Sequence, residues 1–175
     1  MNRSNQIQKL VLAASLAAVS VVIDIFFKYA LNIQNFGLPF YAVPIILGSI
    51  ILGPVYGMAM AFVGDAIGVV VSNQGYLPMF VLAPIVWGVL PGLFLHKKYA
   101  TNKLAYVIPF TYIIASLSNT LALFIHFGIE TTMALLILRM ALIPFNSIVM
   151  FFVVRDLYHK LLPFHEQYTL SAQKS

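Results

Sequence analysis

Four side chains stand where hydrocarbon should surround them: Asp65, Trp87, Asn119 and Arg139 each interrupt a long apolar run. Ionisable groups at membrane depth are costly, and they usually mark a pathway or a pocket. Their depths follow from the ~1.5 Å rise per helical residue. Asp65 lies roughly 16 Å and Asn119 roughly 20 Å above the inner ends of their helices. Trp87 lies roughly 13 Å and Arg139 roughly 12 Å below the outer ends of theirs. In a hydrocarbon core of ~30 Å these heights form one layer just outside the midplane. A cation, an anion, an amide and the single tryptophan of the chain sharing one layer read as the floor of an outward-facing pocket. The chemistry on offer is recognition rather than catalysis. Arginine is no base near neutral pH, and an amide offers both donors and an acceptor.

Each of these residues also has a plainer reading. Arg139 and Asp65 can neutralise each other as a structural pair, and Trp87 can be core or face lipid. Asp24 and Lys28, four residues apart, read as a surface pair. His126 sits at a helix end and suits an interfacial place. Asn146 and Ser147 follow Pro144 and can satisfy carbonyls freed by a proline kink. As binding groups, Asn146 offers its amide to a ligand, Tyr76 a ring for stacking, and Lys28 and His126 a place at the pocket mouth.

The elements that must position these groups are helices. Hydrophobic residues make up 61% of the chain and charged residues 9%, and the mean hydropathy is +0.93. A soluble domain carries roughly 25% charged residues to wet its surface. The 175 residues leave room for six or seven spans at about 20 apolar residues each. The reading is an all-α membrane protein forming a single integral membrane domain over 1–175. Its six transmembrane helices fall at about 8–28, 40–52, 54–72, 79–96, 104–127 and 131–160. Gly53-Pro54 divides the second from the third. Pro144 predicts a kink or break in the sixth.

Six helices put both termini on one side, and that side collects Arg3, Lys9, Lys97, Lys98, Lys103, Arg155, Lys160 and Lys174. By the positive-inside rule it is cytoplasmic, which places the chain in a cell membrane as a multi-pass protein. The net charge of +5 is thereby topology and contact with anionic lipid, not a nucleic-acid footprint. The chain has no cysteine, hence no disulfide framework and no thiolate metal site. Neither a P-loop nor an H-E-x-x-H motif is present, and no serine sits in a nucleophile elbow. Half-to-half similarity of the inverted-repeat transporter kind is also missing. A small binding subunit that takes its energy from elsewhere fits these absences. A lipid-modifying enzyme using Asp65, His126 and Arg139, or an assembly subunit without a pocket, are the rival classes.

Lipid provides no hydrophobic drive for helix association, so small residues must let helices approach closely. The first helix offers Ala13/Ala17 and Ala14/Ala18. The third aligns Gly53, Gly57, Ala61 and Asp65, with Gly64/Gly68 beside them. Both sets fit packing within the bundle as well as a flat surface for another membrane subunit.

Longer stretches resemble a known family. VPIILGSIILGPVYGMAMAFVGDAIG, GYLPMFVLAPIVWGVLPGLFLHKK, LSNTLALFIHFG and LRMALIPFNSIVM are similar to the substrate-binding S components of energy-coupling factor (ECF) vitamin importers, most of all the folate-specific ones. The block Gly53, Pro54, Gly57, Asp65 and Gly68 is shared across many S components. The segment 118–128 and the spacing Arg139…Pro144…Asn146 carry the likeness to folate members. The resemblance implies the S-component fold, no catalysis and no cofactor in this chain, and folate as ligand. Pantothenate, riboflavin or cobalamin are the alternatives. It implies as partners a transmembrane T component and two cytoplasmic ATPase subunits. It also implies docking through Ala13, Ala14, Ala17 and Ala18, and polar ligand positions at Arg139 and Asn146.

Overall fold

The computed structural model describes residues 3–27, 39–72 and 77–173. Among the described residues every regular element is helical. In chain order they are α1 (Arg3–Ile25), α2 (Ala42–Leu52), α3 (Pro54–Ser72), a single 3-10 turn (Pro78–Val81), α4 (Leu82–Leu95) and α5 (Thr101–Gln173). The last is a hairpin. Two helical arms meet at Gly128, whose φ 81° and ψ −179° are non-helical and reverse the chain. The positive φ is a conformation that glycine adopts without the Cβ penalty of other residues. The two arms carry the apolar stretches Thr101–Glu130 and Leu135–Leu161. The bundle therefore has six helical rods, as the composition predicts. The expected break at Pro144 does not occur: Gly128 is where non-helical backbone interrupts the hairpin. The chain turns at the glycine, while the second arm continues through the proline.

Five of these stretches are long and apolar enough to cross a membrane among the described residues. The exception is α2, whose 11 residues are all buried. At 1.5 Å per residue it is roughly 16 Å long, about half a hydrocarbon core. A helix that is apolar on every side belongs inside a bundle, and α2 packs against α1, α3 and α4. Its neighbours show lipid-compatible outer faces: Val55, Val70 and Ile137 are each at least 70% exposed.

Side-chain pairs set the register. The Asn146 amide donates to the Tyr112 hydroxyl at 2.9 Å, and Tyr99 stacks on Tyr158 with ring centroids 3.8 Å apart. The arms are thus antiparallel, closing away from Gly128. Similarly, Phe80 faces His126 and Phe94 faces Phe110, so α4 runs antiparallel to the first arm.

The stripe Gly53, Gly57 and Ala61 on α3 turns inward and is buried. A Cβ on Gly57 would strike the Gly88 carbonyl, and a Cβ on Gly88 would strike the backbone of Gly57. These positions are internal packing between α3 and α4, which removes them from the candidate partner surface. The alanines of α1 divide. Ala13 and Ala17 are buried in the core, whereas Ala14 and Ala18 lie on the exposed face.

Candidate functional site

The register brings three of the layer residues to a common height. Pairing Tyr112 with Asn146 places Asn119, two turns further along the first arm, opposite Arg139, two turns earlier on the second. On α4, Trp87 lies midway between Phe80 and Phe94, whose partners His126 and Phe110 bracket the turn that contains Asn119. Sequence periodicity agrees: Arg139, Ile143, Asn146, Met150 and Val154 recur at helical spacing, and the last four are buried. They form the inner face of the second arm.

Tyr112 joins the parts. Its ring meets that of Trp87 with centroids 5.4 Å apart and planes at 53°, within the range of favourable aromatic pairs. Its hydroxyl accepts from Asn146. It also lies within electrostatic reach of the Arg139 guanidinium, as does Tyr41. Tyr41 in turn feels Asp24, Asp65, Tyr112 and Arg139. Asp65, half-buried on α3, therefore joins the cluster through Tyr41. The backbone of Tyr41 is held in place because Ser20 Oγ donates to its carbonyl at 2.6 Å.

The polar atoms of this cluster are incompletely matched. Arg139 Nε and Nη1 and Asn146 Oδ1 are buried without a hydrogen-bond partner among the described residues. Asn146 is 0% and Trp87 2% exposed. Buried polar groups are almost always paired, and an orphan has to be explained. The unmatched atoms here are two cationic donors and one amide acceptor; the hydroxyls of Tyr99, Ser116 and Ser147 are also buried without a partner among the described residues.

The remaining candidates lie elsewhere. His126 is exposed near the bend; its Nδ1 is 2.9 Å from the Ala122 carbonyl of its own helix, and its ring neighbours Phe80 and Phe127. Lys28 and Tyr76 lie outside the described residues. Asp24, whose expected partner Lys28 is one of these, is half-buried. Its carboxylate faces α3, with Oδ2 3.3 Å from where a Cβ on Gly68 would stand. Periodicity and composition did not single out Tyr112 or Tyr41. A signal existed for Tyr112, a tyrosine inside an apolar span two turns before Asn119 and on its face. Tyr41 follows the stretch NIQNFGLPF and shows no periodicity that marks it.

The family model for the ECF transporter substrate-specific component matches residues 8–159 of this chain. The chain belongs to that family. It is an S component, a substrate-binding part of a transporter and a multi-pass membrane protein. No curated protein matches this S component. The crystal structure of FolT bound with folic acid aligns with a TM-score of 0.69 at 24% identity, covering 85% of this chain and 95% of that one. At that identity the likeness carries the fold: this S component has the architecture of FolT.

Proposed function

We propose that this S component captures folate from outside the cell and delivers it to an energising complex. The observation that carries the reading is the buried Arg139–Asn146–Tyr112–Trp87 cluster with its unmatched donors and acceptor. A pterin ring is flat and aromatic, so Trp87 and Tyr112 offer it faces. Its edge alternates donors and acceptors, which suits the Arg139 N–H groups and Asn146 Oδ1. The glutamate tail is anionic, and His126 and Lys28 are the groups the sequence offers it. The fold shared with FolT, a protein whose structure holds folic acid, supports the same choice.

In this reading the chain is one membrane domain with both termini cytoplasmic, placed in a bacterial plasma membrane by its basic inner loops. It catalyses nothing itself. A T component and two ATPases supply the work, and Ala14 and Ala18 on the exposed face of α1 lead the docking surface. Mass spectrometry of small molecules retained by the purified protein tests the ligand. The expected result is folate, with quenching of Trp87 fluorescence when folic acid is returned to stripped protein. Trp87 is the sole tryptophan, so the signal is unambiguous. Protein that retains no pterin and whose fluorescence ignores folic acid would falsify the folate assignment. Riboflavin or pantothenate in the same titration identifies the rival.

A further inference from the structure

The α2–α3 corner and α4 meet along two stripes of small residues. Ser49, Gly53 and Gly57 are spaced by four on one side, and Gly88, Gly92 and His96 on the other. Ser49 is 0% exposed, and its Oγ donates to the Gly88 carbonyl of α4. Gly57 and Gly88 touch backbone to backbone, and a Cβ on Gly92 would lie 2.8 Å from Pro54 Cα. At the far end His96 Nδ1 is 2.8 Å from the Ile50 carbonyl. Gly88 immediately follows Trp87. A helix held at this point by a hydrogen bond and by direct backbone contact has little freedom to rotate about its axis. Such rotation would turn the Trp87 ring against Tyr112.

We propose that Ser49 is a positioning residue of the binding site: by anchoring the Gly88 carbonyl of α4 to α2, it sets the plane that Trp87 presents to the ligand. This extends the vitamin-binding reading and rests on it for the role of Trp87. Ser49 is remote in sequence from every ligand-facing residue and acts through α4 alone. Among the buried hydroxyls Thr111 donates within its own helix to Val107, Thr132 donates to the Gly128 carbonyl at the turn, and Ser20 donates to the Tyr41 carbonyl ahead of α2. The Ser49 bond instead joins two helices.

The test uses the purified full-length protein and needs no identified ligand for its first measurement. Ser49→Ala is expected to shift the emission maximum of Trp87 and to increase its quenching by acrylamide. Ser49→Cys, which keeps the volume and a weak donor, falls between the two proteins and serves as the working variant if Ser49→Ala does not fold. Thr132→Ala, which removes a buried hydroxyl bonded to the Gly128 carbonyl at the turn, leaves both signals unchanged. Folic acid affinity is expected to fall about fivefold in Ser49→Ala, the equivalent of one net buried hydrogen bond. Unaltered Trp87 emission and acrylamide quenching in both Ser49 variants overturn the inference, whatever folic acid does. Altered emission supports it. If folic acid then fails to quench even the unmodified protein, the folate reading falls and the positioning of Trp87 by Ser49 stands.

Discussion

In the proposed function, recognition turns on Arg139. Its Nε and Nη1 are buried and keep unused donor capacity among the described residues. A ligand that accepts from them makes charge-assisted hydrogen bonds, worth about 1.5–3 kcal/mol each. Arg139→Ala is therefore expected to weaken vitamin binding at least tenfold, by about 1.4 kcal/mol or more, without preventing insertion; calorimetry on detergent-purified protein measures it, and an unchanged Kd excludes the role. Lysine at this position should not restore affinity, because it lacks the planar fork. Tyr112 has a different part. Tyr112→Phe keeps the ring against Trp87 but removes the acceptor for Asn146, leaving a buried amide unmatched at a cost of about 1–3 kcal/mol. The variant is expected to melt earlier and bind less tightly. Equal melting temperatures for Tyr112→Phe and the natural protein would show that Asn146 finds another acceptor.

At the level of elements, the α3–α4 crossing is the tightest contact in the bundle, and the glycines differ in what they tolerate. A Cβ on Gly88 has backbone atoms of Gly57 and Met58 in its way, while a Cβ on Gly64 meets only Val21 Cγ2 at 3.8 Å. Gly88→Ala is expected to destabilise by roughly 1–3 kcal/mol or more through overpacking, and Gly64→Ala to be nearly silent. Thermal unfolding of both variants in detergent gives the comparison; similar losses would mean that α4 shifts freely on α3. Helix existence was legible because an uncharged apolar run of about 20 residues has the length of a hydrocarbon core when helical. So was the place of the last turn, between helices expected at about 104–127 and 131–160; a further break at Pro144 was not needed. Pro144 carries the stronger sequence signal, but a helix can continue through a proline when neighbouring groups satisfy the freed carbonyl. The reversal at Gly128 depends on a single residue with positive φ.

For the whole molecule, the division of the α1 alanines makes a prediction about assembly. Ala14 and Ala18 are exposed, while Ala13 and Ala17 pack in the core. Ala14→Leu and Ala18→Leu are expected to leave vitamin binding intact and abolish uptake in cells that supply the T component and ATPases. Ala13→Leu is expected to lower stability and yield instead, because the added volume enters a closed core. Normal uptake by both exposed-face variants places the docking surface elsewhere.

Composition, span length and the distribution of lysine and arginine determine, without coordinates, that this chain lives in a bilayer and how many rods it makes. Those properties depend on the transfer of each segment into lipid, a sum over local residues that ignores their neighbours. The depth of Trp87, Asn119 and Arg139 was legible for the same reason, since height along a helix is arithmetic. Which side of each helix looks inward was decided by packing. Only the folded bundle brings Tyr112 between Trp87 and Asn146, turns Asp24 toward α3, and commits Gly57 to α4 rather than to a partner. Small residues and lone polar groups read alike on either face of a helix, and close packing between particular helices chooses among them.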